Sequence, residues 1–154
     1  MLGISLMQKG DATGALAEIQ QETAENWRLV GLPMAYHALG RKSESDQALA
    51  AAIAKYEKDS SVNIAYIYAY RGEADKAFEW LDKAIAYQDP GVSEIVTEPL
   101  FNNVRQDPRW LPFLRKIGKD PETLAKIEFK VTLPAEWHAE ATAQAVVTPG
   151  ETAR

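Results

Sequence analysis

Histidine and cysteine carry most proton transfer, nucleophilic attack and metal ligation near neutral pH, and this chain is nearly bare of them. It has no cysteine and two histidines, His37 and His138. The missing cysteine excludes disulfides, cysteine-ligated zinc, iron–sulfur clusters and a thiol nucleophile. Two histidines cannot build a histidine-rich metal site. In Trp137-His138-Ala139-Glu140 the acid and the base lie two residues apart, on opposite sides of any helix, and catalysis needs them in rigid mutual geometry. The nucleophile elbow G-x-S-x-G, the zinc motif H-E-x-x-H and the phosphate-binding G-x-x-x-x-G-K and G-x-G-x-x-G are all absent. No catalytic residue, cofactor or metal is expected. An enzyme reading survives only as a small enzyme of unrecognised type.

The remaining chemistry is that of surfaces. The chain has 154 residues, 46% hydrophobic and 25% charged, with a net charge of −5. That is enough chain for one domain or a short run of repeats. The acidic balance argues against a nucleic-acid or anionic-membrane coat. One basic cluster exists, Arg105, Arg109, Arg115, Lys116 and Lys119, with Asp107 opposing it. It reads as a solvated face, since nucleic-acid affinity needs many phosphate contacts. No apolar stretch is long enough to span a bilayer. The opening Met1-Leu-Gly-Ile-Ser-Leu-Met lacks a basic n-region. A cytoplasmic protein, or a cytoplasmic piece of one, is expected.

These surfaces must be carried by helices. Gly10, Gly40 and Gly72 lie 30 and 32 residues apart, each followed by a polar residue and then an apolar helical pattern. Upstream, at the same offsets from the three glycines, stand Leu2, Gly3, Leu6; Leu32, Pro33, Tyr36; and Ile64, Ala65, Tyr68. Downstream stand Ala15 and Ile19; Leu49, Ala52, Ile53 and Tyr56; and Ala77, Phe78, Leu81, Ala84 and Ile85. Such spacing draws one stripe along one helix face. Start signals agree: Asp11 before the second helix, Ser43 with Asp46 as a capping box, and Ser60 before Ile64. Asp89-Pro90-Gly91 ends the third unit. Pro33 cannot donate to the carbonyl of Leu29, so the 27–39 helix is expected to kink there rather than start late.

Helix pairs joined at a glycine cannot each bury their own apolar face and must stack. Residues 63–85 carry a small residue (Ala65), an aromatic (Tyr68), the turn glycine (Gly72), a second small residue (Ala77), a large apolar residue (Leu81) and Ala84. In this pattern the chain resembles the tetratricopeptide repeat family over roughly 1–90, most closely in the third unit. The block from Asp89-Pro-Gly through Pro99-Leu-Phe to Asp107-Pro-Arg-Trp and Leu114-Arg is similar to the C-terminal repeat region of bacterial multidomain regulators, over about 43–118. Those proteins join such repeats to adenylate cyclase, winged-helix or protein-kinase domains, whose motifs are absent here.

The expected fold is therefore all-α: a short tetratricopeptide-like stack of antiparallel helix pairs at about 1–25, 26–58 and 59–90, with a helical C-terminal cap at 91–118. In the cap Asp107 and Pro108 start a helix that ends at Gly118, with Trp110, Phe113, Leu114 and Ile117 as its stripe and Leu100, Phe101 and Val104 beneath. Residues 119–134 read as a short helix from Asp120-Pro121-Glu122 to about Ile127 and then an extended segment. Residues 135–154 read as a mobile tail with room for a helix over 135–146.

In the resembled family the first helices of the pairs line a concave surface. That template places Ile4, Met7, Gln8, Met34, His37, Ala38, Val62, Tyr66, Ala69 and Tyr70 there. Met34, His37, Tyr66, Tyr70, Val62 and Asn63 are the expected peptide-binding residues, because methionine and aromatics give adaptable contact area. Only Asn63 suits the family's clamp for a C-terminal carboxylate, since His37 and Tyr70 stand where basic residues are wanted. The competing reading packs these residues on the chain's own tail, with Phe129, Val131, Leu133 and Trp137 as anchors over 128–138. The first unit is short, with about two turns before Gly10, and exposes Leu2, Ile4 and Leu6. Either the chain is the C-terminal part of a longer protein or a second chain covers this end. The function expected is a non-catalytic protein- or peptide-binding module, a scaffold or regulatory part of a bacterial signalling protein. The alternative is a homo-oligomerisation element using the N-terminal end.

Overall fold

Glycine at the end of a helix permits a left-handed residue that other side chains resist. Gly10, Gly40 and Gly72 take that conformation, with φ of 84°, 70° and 76°. In this computed structural model, which describes residues 2–128 and 130, each glycine closes an inner helix in one way. The glycine N–H reaches back to the carbonyl three residues earlier (Met7, His37, Ala69), and the next N–H reaches the carbonyl five earlier (Leu6, Tyr36, Tyr68). These bonds satisfy carbonyls that every helix end leaves orphaned. Three residues then separate each inner helix from its mate. The pairs are α1 (Leu2–Gln8) with α2 (Ala12–Gln21), α3 (Glu25–Ala38) with α4 (Lys42–Tyr56), and α5 (Ser61–Tyr70) with α6 (Ala74–Ala86). The described residues are all-α, and adjacent helices pack pairwise into a stack.

Small residues set how closely each pair crosses. Seven positions before and five after each turn glycine stand Gly3 with Ala15, Pro33 with Ser45, and Ala65 with Ala77, all buried. A Cβ built on Gly3 would lie 2.5 Å from Ile19 Cγ1, and one on Gly31 would lie 3.0 Å from the same side chain. Ile19 of α2 thus fits between two glycines on the helices to either side. In the second pair a proline fills the small position, and Ser45 answers it: its Oγ donates to the Pro33 carbonyl at 2.6 Å. The helix neither starts late nor stops there. It runs from Glu25 through Pro33 to Ala38.

Arg71, at the third turn, ties neighbouring pairs together. Its side chain is 6% exposed and meets Asp46 of α4 at 2.6 Å and its own Glu73 at 2.6 Å. Asp46 is therefore no capping partner for Ser43. Arg41 occupies the N-cap of α4 without a side-chain capping bond, its guanidinium pairing with Glu44 instead, and Asp46 also takes Lys42 at 2.5 Å. Ser60 holds the N-cap of α5 but likewise makes no capping bond. That bond comes from 27 residues away, where Asp89 Oδ2 accepts from Val62 N at 2.9 Å while Oδ1 accepts from Gly91 N at 2.9 Å. Asp11 does cap α2, accepting from Gly14 N at 2.8 Å.

After α6 the chain makes two 3-10 turns, Pro90–Glu94 and Pro99–Val104, then α7 (Trp110–Lys116). Ile95, Phe101 and Val104 are fully buried. The Phe101 ring lies 6.1 Å from Tyr66 and 5.8 Å from Trp110, and Phe113 lies 6.4 Å from Phe78 of α6. The cap expected at 91–118 is thus present and continuous with the stack: residues 2–120 form one compact unit. Asp107 accepts from Arg109 N in the turn before α7, so that helix starts at Trp110 rather than at Pro108. The second unit begins at Pro121. Its α8 (Pro121–Leu124) is shorter than the helix expected to reach Ile127. Most of the expected strand, the 135–146 helix and the tail contact lie outside the described residues.

Candidate functional site

The two 3-10 turns decide what the inner face offers. They lie along α5, on the side that carries Val62, Tyr66 and Tyr70 at four-residue spacing. Gly91 comes so near α5 that a Cβ there would lie 3.2 Å from Val62 Cβ. Asn103 Nδ2 donates to the Tyr70 carbonyl at 3.0 Å. Arg105 stiffens the same segment, donating to the carbonyls of Val96 at 2.8 Å and Glu98 at 3.1 Å.

This overturns part of the expected groove. Met34 has no exposed surface, and Val62 and Tyr66 are buried. Met34 is core, and Tyr66 is covered by Phe101 from the 99–104 turn. An open surface across Met34, His37, Tyr66 and Tyr70 therefore does not exist. The chain fills its own inner face with residues 90–104. His37 and Tyr70 do meet as expected, edge to face with ring centroids 6.3 Å apart. Tyr70 is half-buried, Asn63 is half-buried and His37 is exposed. Burial, then the nearby charges of Glu98 and Asp89, raises the Tyr66 hydroxyl well above the ordinary tyrosine range, so it stays protonated.

What the segment leaves open is displaced toward α1. A cleft of about 100 Å³ is floored by Ile4, Trp27, Val62, Tyr66, Ile95 and Leu100, with Asn63, Gly91, Glu94 and Glu98 around it. A second cleft, of about 110 Å³, is lined by Leu2, Gly3, Ile4, Ile19 and Trp27 with Glu18 and Glu22. Ile4 and Trp27 belong to both, so the two form one apolar strip across α1 and α3. Leu2 stands 58% exposed at its end, while Ile4 and Leu6, also expected to be exposed, are buried and half-buried against the core. Among the described residues, every charged side chain lining the strip is a glutamate. Glu22 and Glu98 each spend one carboxylate oxygen on a backbone N–H, of Ala24 and Leu100, both at 3.0 Å.

Of the six residues expected to bind peptide, Val62 and Tyr66 lie buried in the floor of this strip and Asn63 at its edge, while Met34, His37 and Tyr70 lie away from it. The sequence reading missed Trp27 and the four glutamates. Trp27 precedes the repeat stripe and is read there only as a helix start. A sequence signal was present on α2, Glu18 in its last turn and Glu22 at its C-cap with no basic residue in that turn; in the fold Arg28 of α3 supplies a cation there, donating to the Glu22 carbonyl at 2.7 Å.

The basic cluster also changes character. Arg109 pairs with Asp107 at 2.7 Å and with Asp75 of α6 at 2.8 Å, and Lys116 pairs with Asp82 at 2.7 Å. Arg105 is committed to the carbonyls named above. Asp107 is thus joined by Asp75 and Asp82 in opposing it. Hydrogen bonds from Arg109 hold the Asp107 carboxyl down to about 2.

No group of three or more metal-ligating side chains occurs among the described residues, and no described helix is long and apolar enough to cross a membrane. The strip offers contact area and negative charge and holds no paired base and nucleophile. No family model matches the chain, and neither curated proteins nor solved structures give a match.

Proposed function

We propose that the chain is a non-catalytic protein-binding module that receives a peptide segment of its partner on the Leu2–Ile4–Trp27 strip. One observation carries this reading: an apolar floor shared by two adjoining clefts, ending in an exposed leucine at the end of the stack. Leu2 is its exposed residue and Trp27 is half-buried, while Ile4 and Leu100 are buried at its base. The recurring turn glycines and the small residues at the crossings support the tetratricopeptide resemblance. With it comes the proposal of a scaffold or regulatory role in a bacterial, cytoplasmic signalling protein.

The test is selection of peptides from a random library against the whole chain, followed by titration of the winners into wild-type and Trp27→Ala protein. Micromolar binding that Trp27→Ala weakens at least tenfold, about 1.4 kcal/mol, is expected. Peptides that bind both proteins alike would overturn the site.

The exposure of Leu2 also favours a second reading, self-association through this end. Facing two copies of a strip flanked by glutamates would bring like charges together. A monomeric mass by light scattering at high protein concentration is therefore expected. A dimer that Leu2→Asp converts to monomer would establish the second reading instead.

A further inference from the structure

We infer that the segment received on this strip is a cationic amphipathic helix of another protein, with lysines or arginines flanking a leucine-like apolar face. The inference rests on the proposed binding strip and adds the chemistry of its partner. The argument is charge complementarity across an apolar floor. Toward α2 the strip is edged by Glu18 and Glu22, and toward the 90–104 segment by Glu94 and Glu98, while no lysine or arginine among the described residues lines either cleft. Between the two acidic edges lie exposed Leu2 and half-buried Trp27, with buried Ile4 and Leu100 at the base, a floor on which a helix can set apolar residues at i, i+3, i+4 and i+7.

α2 carries two acids at its C-terminal end, where the Arg28 guanidinium of α3 donates to the Glu22 backbone carbonyl at 2.7 Å. Glu22 and Glu98 each keep their second oxygen clear of the backbone bonds they accept, so all four carboxylates have an oxygen to offer an incoming cation.

The same argument selects among occupants. Residues 131–154 carry three glutamates, Glu136, Glu140 and Glu151, against one arginine, Arg154, so the chain's own tail is the wrong charge. A second copy brings a net −5. Charge patterning of the stated kind selects the partner and raises its on-rate more than it adds affinity.

The experiment uses the whole chain and two labelled peptides of about 18 residues. In one, leucines repeat at i, i+3, i+4 and i+7 with lysine elsewhere; in the other, glutamate replaces lysine. Anisotropy is read against wild type, against Glu18→Gln/Glu22→Gln/Glu94→Gln/Glu98→Gln, and against Trp27→Ala. The glutamines retain an acceptor for the Ala24 and Leu100 N–H groups. The lysine peptide is expected to bind wild type, to bind the quadruple variant about tenfold more weakly, and to weaken as salt rises from about 0.05 to 0.5 M. The glutamate peptide is expected not to bind. If both peptides bind wild type and the quadruple variant alike, and Trp27→Ala weakens both, the cationic partner is refuted while the strip stands. If Trp27→Ala changes neither, the strip itself is refuted. If the lysine peptide does not bind wild type up to about 1 mM, the cationic partner is refuted, and the library selection decides the strip separately.

Discussion

Replacing Asp89 with alanine should loosen the segment that fills the inner face. Asp89 is 7% exposed and sends one oxygen to each of two backbone N–H groups, Val62 in the first turn of α5 and Gly91 in the 3-10 turn, both at 2.9 Å. Alanine leaves both donors without that acceptor and removes a negative charge from the N-terminus of α5. A hydrogen bond to a charged group contributes about 1.5–3 kcal/mol and a lost N-cap costs about 1 kcal/mol. Water reaching the loosened site recovers part of the sum, so the expected loss is about 2–4 kcal/mol. Asp89→Asn keeps an acceptor oxygen and should lose about half as much. Urea unfolding gives the stabilities, and hydrogen exchange reports Val62 N–H and Gly91 N–H directly. The expected result is faster exchange at both amides in Asp89→Ala. A loss under about 0.5 kcal/mol, with both amides still protected, would refute the claim that this carboxylate anchors the 90–104 segment to α5.

Ala77 has no exposed surface where α6 crosses α5, so Ala77→Leu should overpack that crossing and lower stability by about 1–3 kcal/mol in a thermal melt; an unchanged melt would contradict the pairing of Ala65 with Ala77. Asp107 should titrate with a midpoint near 2 in a carbon-detected NMR titration. Its folded pKa lies below the unfolded value of about 3.9, so its contribution is complete above that value and fades as pH falls through 2. Arg109→Ala should move the midpoint back toward 3.9, and a midpoint unmoved by that change would refute the Arg109 contact.

The turns were legible because their cause is local. A glycine held at positive φ, a polar N-cap and a helical stripe all lie within a dozen residues, so Gly10, Gly40 and Gly72 announce the three pairs. Ser45 was harder to read. A serine at a small, buried position looks like an exception until its partner is known, and that partner is the carbonyl of Pro33, twelve residues earlier. The Asp89 cap spans 27 residues and leaves no local pattern at all. The binding face failed for the same reason. The stripe Met34–Tyr66–Tyr70 would line an open surface in a bare stack. Whether it does depends on where residues 90–104 go, and two 3-10 turns of five and six residues are too short to show a period. The proposed site lies at the first helix rather than in the middle of the stack because the chain covers its own middle. Trp27 became a site residue only through that move.

The central claim, that the partner meets this protein on the strip shared by α1 and α3, is tested most directly by NMR. Isotope-labelled chain is titrated with a library-selected peptide, following the Trp27 indole N–H and the methyl groups of Leu2, Ile4 and Leu100. The account predicts that the shift changes are largest at these four residues and small at His37 and Tyr70. Changes centred on His37 and Tyr70, or on Phe78 and Arg109 at the far side of α6, would contradict it.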